Sequence, residues 1–402
     1  MAWREVSAVG LRCEFCELAV VAGANVSELC RRFGISRKTG YKWLSVWRAT
    51  ESSRASGRDA EAARTAVMSD RSRRPHISPG RTASRIESVI LAARDRHPSW
   101  GARKLLAWLH ADASRRQGVS VSSLPVASTT TAILRRHGRI SPEESERHRA
   151  FERFERAAPN ELWQMDFKGH FAAGASRCHP LTVLDDHSRY SIGLEACDNE
   201  RGDTVRARLT QCFNTYGLPQ QVLCDNGSPW GDVGWGGYST IEVWLIRLGV
   251  VVSHGRPRHP QTQGKDERFH RTLQAEVIRR HRPQSLRDCQ RRFDEWRQVY
   301  NHERPHQALN YHTPSSRYRA SERSMPARLP PIEYPTGDEV RWVQPDGTVG
   351  FQGRRRHIGK GFRGEPVAIR STGRDGEWAV YYCQTRVTTL DLHVAEADCE
   401  ML

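Results

Sequence analysis

Apolar residues along this chain recur first at helical spacing and later at strand spacing, and the change of period divides it. Between residues 5 and 48 the spacing predicts a helix over 14–22, a second over 28–33 and a third from 37 to about 48. Asn25-Val26-Ser27 offers an N-cap to the second, and Gly34-Ile35-Ser36 a tight turn into the third. That is the outline of a helix-turn-helix. Residues 50–78 lose the period and read as a linker. A second helical unit follows, with helices over 84–96, 102–110 and about 127–137, the last opening with Ser128-Thr129-Thr130-Thr131. Residues 142–157 pair Glu with Arg at i,i+4 and predict a charged connecting helix.

From residue 160 to about 280 short strand-like runs alternate with helical ones. Strands are predicted near 162–168, 180–185 and 189–196, a helix over 203–216, a strand at 221–224 and a helix over 238–248. A strand at 249–253 and a helix from 264 complete the series. Three antiparallel strands followed by α-β-α-β-α is the order of a ribonuclease-H-like fold. Beyond a stretch rich in Pro, Ser and Arg, short strands near 339–344, 348–358, 365–371, 377–384 and 386–391 suggest a small SH3-like β-barrel. The expected organisation is multidomain. It runs from a helix-turn-helix domain at 1–50 and a linker at 51–81 to a second, winged-type DNA-binding module at 82–140 and a connecting helix at 141–158. An α/β core with a closing helical segment at 159–318, a linker at 319–336 and the barrel at 337–395 complete it.

Charge adds a partner to this outline. The 402 residues hold 62 Lys and Arg against 46 Asp and Glu, a net +16, which points to an anionic polymer. Residues 1–158 carry +13 of that excess, so most of it lies outside the α/β core. Arg outnumbers Lys heavily; this suits bidentate phosphate contacts, and a GC-rich genome gives the same bias. Arg37, Lys38, Thr39, Tyr41 and Lys42 fall on the third helix, where a recognition helix in a major groove would need them. A three-helix bundle with a solvated basic face has the same pattern, and the overall charge favours DNA. Arg354-Arg355-Arg356-His357 with Lys360 and Arg363 would give the C-terminal strands a basic face for DNA, for a neighbouring subunit, or merely for water.

No apolar leader or membrane-length run appears, so the expectation is a cytoplasmic, nucleoid-associated protein with no membrane partner, its ten cysteines reduced. Cys13-x-x-Cys16 has no second pair at zinc-ligand spacing and fits the apolar face of the first helix, which makes it a pair of core thiols.

Three acids carry the candidate chemistry. Asp166 falls in the strand-like Leu162-Trp-Gln-Met-Asp-Phe-Lys168, Asp225 closes a second strand before the turn signal Asn226-Gly227, and Glu267 lies in the first turns of a helix. Two strand ends and a helix start can converge in an α/β core. Three carboxylates meeting there would repel one another unless cations sat between them, as in a two-metal phosphoryl-transfer site. Asp185 and Asp186 lie in a hairpin turn, where acids serve backbone bonds, and are left out of this set.

Several stretches together resemble the integrase core of bacterial insertion-sequence DDE transposases, a core shared with retroviral integrases. They are Arg153 to Gly169, Leu184-Asp-Asp-His-Ser-Arg-Tyr190, Cys224-Asp-Asn-Gly-Ser-Pro-Trp-Gly231, His259 to Leu273, and Tyr300-Asn-His-Glu-Arg-Pro-His-Gln-Ala-Leu309 with Thr313-Pro314. The resemblance spans roughly 150–318, and the N-terminal helices fit the same family. It implies that Asp166, Asp225 and Glu267 are the catalytic acids and hold two Mg²⁺ ions, with Mn²⁺ as substitute. One departure is the gap of 41 residues between Asp225 and Glu267, longer than is usual in the integrase-like group. The surplus falls in the Gly/Trp stretch 230–237. Asp266 is a rival to Glu267, but a helix turns it about 100° away.

On the Glu267 helix, His270, Arg271 and Gln274 share a face expected to meet the DNA end, with Phe269, Leu273 and Val277 on a core face. His259 and Gln261 either touch substrate or order their loop. Asn226 is expected to fix the turn after Asp225, and Arg304 and His306 to be structural. The implied activity is binding of terminal inverted repeats, metal-dependent end cleavage and strand transfer into target DNA. The implied partners are double-stranded DNA, as element ends and target, and further copies of the chain in a dimer or tetramer. A plain nuclease on the same fold, and a DNA-binding regulator with a silent core, are the alternatives.

Overall fold

A computed structural model describes residues 7–51, 67–70, 80–140, 155–231, 237–255 and 264–393. Most of the connecting helix expected at 142–157, most of the Gly/Trp stretch, and both His259 and Gln261 lie outside the described residues. The chain forms two units, Met1–Arg81 and Thr82–Leu402.

In the first unit α1 (Ala8–Ala19), α2 (Val26–Arg32) and α3 (Arg37–Glu51) pack as a helix-turn-helix. The first helix starts well before the apolar pattern does, because the Ser7 hydroxyl accepts the Gly10 N–H at 3.0 Å. The Asn25 side chain caps α2 by accepting from Ser27 and Glu28. Phe15, Cys16, Ala19, Cys30, Trp43, Leu44 and Trp47 form the core, so the cysteines at 16 and 30 are buried thiols. Met68, inside the stretch expected to be a linker, is 1% exposed in this core, and Arg12 fixes it by pairing with Asp70 at 3.0 Å. Gly40 sets how closely α3 approaches α1 and α2. A Cβ there would stand 2.5 Å from the Cys30 sulfur and 2.9 Å from the Phe15 ring.

The second unit begins with α4 (Ser84–Arg96), α5 (Ala102–Ala111) and α6 (Ala127–Arg136), wrapped around Ile90, Trp100, Leu105, Trp108, Leu109 and Ile133. The winged-type expectation is corrected here: residues 80–140 contain no strand. Between α5 and α6 the chain makes two 3₁₀ turns, Ala113–Arg116 and Val121–Ser123. Arg115 and Arg116 donate to the carbonyls of Trp108 and Leu109, which folds this segment back on the end of α5 instead of extending it as a strand.

A six-stranded sheet forms the centre. Its strands are β1 (Leu162–Phe167), β2 (Phe171–Ala173), β3 (Ser176–Asp185), β4 (Ser191–Cys197), β5 (Gln221–Cys224) and β6 (Val251–His254). β1 lies between antiparallel β3 and parallel β5; β6 extends the parallel side, and β4 and β2 both pair with β3. This is the ribonuclease-H-like order. On one face α7 (Gly202–Tyr216) and α8 (Thr240–Arg247) cover Trp163, Met165, Leu181, Val183 and Val222. On the other, α9 (Gly264–Leu273) and α10 (Leu286–Gln298) bury Phe269, Leu273, Phe293 and Trp296 against Leu184, Leu194 and Ala196.

Past Leu273 the chain of α9 continues as a π-helical turn, Gln274–Ile278, and Glu276 in it ties the helical module to the core. Its carboxylate accepts from Ser99 Oγ at 2.7 Å, Trp296 Nε1 at 2.8 Å and Arg304 at 2.9 Å. Burial alone would raise its pKa, yet these donors hold it below the usual range.

Residues 319–336, expected as a linker, strap the core instead. Leu218 N–H donates to Arg323 O, and the Arg323 guanidinium caps the carbonyls of Pro219, Leu248 and Gly249. At the C-terminus β7 (Glu339–Trp342), β10 (Pro366–Ser371), β11 (Glu377–Tyr382) and β12 (Thr385–Asp391) form a sheet in the order β12-β11-β10-β7. The run 348–358 is a separate hairpin of β8 (Thr348–Phe351) and β9 (Arg354–His357). Its turn residues Gln352 and Gly353 both have positive φ, and Gln is a poor marker of such a turn, so the break is hidden in the sequence. Among the described residues no strand ladder joins the two sheets, which meet only through bonds such as Arg341 Nε to Gly350 O, so the expected SH3-like barrel is not closed. Their shared core rests on Val243 and Ile246 of α8.

Replacing Gly40 by Val overpacks the α2–α3 crossing and is expected to cost about 1–3 kcal/mol. Amide exchange across α2 and α3 should then speed by about tenfold or more while the central sheet is unaffected. Unchanged exchange would mean that this contact is not tight.

Candidate active site

The central position of β1 brings two of the predicted acids together. Asp166, near its end, lies opposite Thr182 of β3. Asp225 follows β5 directly, on the parallel side. Asp166 is three-quarters buried, and its pKa is raised to about 7, first by burial and then by the charge of Asp225. Among the described residues neither carboxylate has an Arg or Lys ion pair. His270 Nδ1 comes within 3.9 Å of Asp166, but burial and Lys168 lower the imidazole pKa to about 4. At neutral pH it is uncharged and does not neutralise the acid.

Each strand end is held from behind. The Thr182 hydroxyl donates to Asp166 O at 2.9 Å and lies 2.8 Å from His270 Nε2. Asp225 Oδ1 accepts the Gly227 N–H at 3.0 Å, and Asn226 Nδ2 donates to Gly255 O at 3.1 Å. His254, at the end of β6, places Nδ1 2.7 Å from Asp225 O and Nε2 2.8 Å from the carboxylate of Glu242. The Cys224 thiol and then Glu242 raise the His254 pKa to about 11. The sequence signal for Glu242 was present, as a Ser239-x-x-Glu242 capping box at the start of α8. Nothing local marked His254.

On α9 the rotation differs from the expectation that set Asp266 aside. Asp266 is 1% exposed, and neither of its oxygens finds a hydrogen-bond partner among the described residues. Burial, then the charges of Asp166 and Asp186, raise its pKa well above the usual range. Glu267 is exposed. The reason is the helix's own stripe: 266 precedes Phe269 by three and Leu273 by seven, which puts it on the buried face. The shared face expected for His270, Arg271 and Gln274 also divides. His270 turns inward onto Thr182, Arg271 is exposed, and Gln274 is half-buried where the π-helical turn changes the register. Asp185 and Asp186 are absorbed by local bonds. Asp185 accepts from Asn160 and Ser188, and Asp186 from Arg156, Gln164 and Lys265. Among the described residues no group of three His, Cys, Asp or Glu closes around one point.

Comparison with known proteins agrees with this architecture. Integrase core domain models match residues 156–260 and 248–314, a helix-turn-helix domain matches 18–51, and the C-terminal domain of IS481 family transposases matches 338–398. These matches are to integrase cores and to a domain of bacterial insertion-sequence transposases. The uncharacterized 31.7 kDa protein of insertion element IS407 from Burkholderia multivorans is 28% identical over 158 residues, 39% of this chain and 55% of that protein. The 39.2 kDa protein of insertion element IS476 from Xanthomonas euvesicatoria is 29% identical over 169 residues, 42% and 47% of the two chains. The chain thus spans about half the length of the curated relatives it matches. Among solved structures, the catalytic core domain of BIV integrase is 21% identical, covering 39% of this chain and 92% of that one with a TM-score of 0.31.

The donor set of this integrase-like core suits a hard divalent cation. Asp166 and Asp225 offer only oxygens, and neither carboxylate has an Arg or Lys ion pair among the described residues. Because the Asp166 pKa is raised in the folded chain, its stabilising contribution is complete below about pH 4 and is lost as pH rises through about 7. In chelator, Asp166→Asn should therefore be more stable than wild type at pH 8, by on the order of a few kcal/mol, and the gap should close toward pH 5. Urea unfolding at the two pH values measures this; a gap independent of pH would contradict the repulsion.

Proposed function

We propose that this chain binds the terminal inverted repeats of an insertion sequence, cleaves DNA at the element ends and joins the freed 3′-hydroxyls to target DNA. The observation that carries the reading is the apposition of Asp166 and Asp225 at neighbouring strand ends, with no Arg or Lys ion pair to either among the described residues. Asp166, Asp225 and Glu267 would hold two Mg²⁺ ions, or Mn²⁺ in their place. When bound, such ions activate a water or 3′-hydroxyl and stabilise the leaving oxygen of a phosphodiester. Asp166 and Asp225 supply the negative charge that recruits them, and Thr182, Gly227 and Asn226 hold the two strand ends at fixed positions. Exposed Glu267 and Arg271, one turn apart on α9, put an acid and a cation where a DNA end can reach both. Two element ends must be processed together, which calls for two or four copies of the chain on DNA.

Sequence recognition is assigned to α3. Arg37, Lys38, Tyr41 and Lys42 are exposed on it, and Thr39 is half-buried beside Ser36. Arg37→Ala and Lys42→Ala should weaken binding to element ends. If either contacts phosphate, its loss lowers the salt slope of log K by about one. Gel shifts at several salt concentrations measure this, and wild-type affinity in both variants would move recognition away from α3.

The chemistry is tested with labelled element ends, an acceptor plasmid and Mg²⁺, beside gel shifts. Asp225→Asn keeps the volume and removes a charge, so end cleavage and strand transfer should fall by several orders of magnitude while end binding persists. Asp166→Asn and Glu267→Gln should act alike. Asp266→Asn keeps the volume of a buried side chain whose raised pKa favours the neutral form, and should leave joining within about a few-fold of wild type. Wild-type joining in Asp225→Asn would remove the basis of the assignment. Cleavage without joining would indicate a plain nuclease, and end binding without cleavage a regulator.

A further inference from the structure

The bonding around His254 is more than packing requires. Its ring spans three elements: the end of β6 on which it sits, the carbonyl of Asp225 after β5, and Glu242 in the first turn of α8. Nδ1 lies 2.7 Å from Asp225 O and 3.8 Å from the Cys224 thiol, and Nε2 lies 2.8 Å from a Glu242 oxygen, so the ring is held at both nitrogens. Glu242 is itself 4% exposed, and its second oxygen accepts the Ser239 N–H at 2.6 Å. Neither member of the pair can rotate without stranding a buried polar group.

Main-chain bonds complete the frame. Cys224 and His254 are paired in the parallel ladder, and Gly255 N–H donates to Cys224 O at 3.0 Å. Asp225 is thereby flanked by two ties to the end of β6 and Gly255, the Cys224 backbone before it and the Asn226 side-chain amide after it, while its own carboxylate is left to Gly227 and the site.

We propose that His254, held by Glu242, is a positioning residue for Asp225, fixing through the Asp225 carbonyl the direction in which that carboxylate presents itself to a divalent cation. The inference rests on the metal-dependent reading above. A carboxylate anchored only by its own turn samples several directions, and each costs affinity for an ion needing near-octahedral oxygen ligands. Tying the residue's carbonyl to a ring that cannot turn removes that freedom.

The two nitrogens can be tested separately. In His254→Asn the amide nitrogen falls near the place of Nδ1 and keeps the donor to Asp225 O. In His254→Gln it reaches the place of Nε2 and keeps only the bond to Glu242. The measurements on the full chain are Mn²⁺ binding by calorimetry without DNA, the Mg²⁺ dependence of end cleavage, and thermal unfolding in chelator. His254→Gln should weaken Mn²⁺ binding and raise the half-saturating Mg²⁺ by about 10-fold or more, with the rate at saturating Mg²⁺ returning to within a few-fold of wild type. His254→Asn should recover most of the metal affinity although both variants lose comparable thermal stability.

Equal loss of metal affinity in the two variants, tracking their loss of stability, would make His254 merely structural and overturn the proposal. So would wild-type metal binding in His254→Gln. A wild-type chain that binds Mn²⁺ but cuts no DNA would sink the transposase reading, and the calorimetric comparison of the two variants would still decide the role of His254.

Discussion

Two carboxylates at the ends of neighbouring strands, close enough for one to raise the pKa of the other, are the constraint around which the second unit is arranged. Their closeness follows from the place of β1, antiparallel to β3 on one side and parallel to β5 on the other. A parallel neighbour puts two strand ends on the same edge of the sheet, where loops and a helix start can add further groups. The burial of most of the Asp166 side chain keeps the repulsion from being screened away by water. The surrounding bonds hold backbone and leave the acids themselves without an Arg or Lys ion pair among the described residues: Thr182 binds Asp166 O and His254 binds Asp225 O. A pair of surface acids serving solubility would have no such framework.

The outer modules are tied to the elements that carry this site. Ser99 of the helical module donates to Glu276, which lies in the π-helical turn continuing α9, the helix of Asp266, Glu267 and His270. The C-terminal sheets rest on Val243 and Ile246 of α8, whose first turn holds Glu242, and Arg247 at its end pairs with Glu365 at 2.8 Å. The strap at 319–336 caps the carbonyls of Pro219, Leu248 and Gly249 at the starts of the two parallel strands. Buried or half-buried polar bonds of this kind cost more to break than exposed ones, so these modules and the core form one body rather than beads on a chain.

Asp266 shows that such a core tolerates local conflict. A fully buried acid with no hydrogen-bond partner among the described residues stands beside Asp166 and Asp186. Its burial and acidic neighbours favour the neutral form, which costs less to bury than the charge. Lys265, the residue before it, hydrogen-bonds Asp186, and its charge only partly offsets the rise at Asp266.

Much of this was legible in the sequence because it is encoded by spacing within one segment. The helix-turn-helix, the α4–α6 helices and the strand order of the core all follow from local period and capping, and the acids at 166 and 225 from their place at strand ends. The inward face of α9 was equally local, since Phe269, Leu273 and Val277 define a stripe to which 266 belongs. What needed the tertiary structure depended on partners far along the chain. Met68 becomes core only because Phe15 and Trp43 are there to cover it, and the expected linker at 319–336 becomes a strap only because uncapped carbonyls meet Arg323. The C-terminal strands share a core without closing into a barrel, an outcome set by which strands find hydrogen-bond partners rather than by their individual patterns. His254 meets Glu242 and the Asp225 carbonyl across three elements, and no periodicity within any one of them records that meeting. Spacing along a chain specifies which face of an element is buried; which other element covers it is decided only when the long-range contacts form.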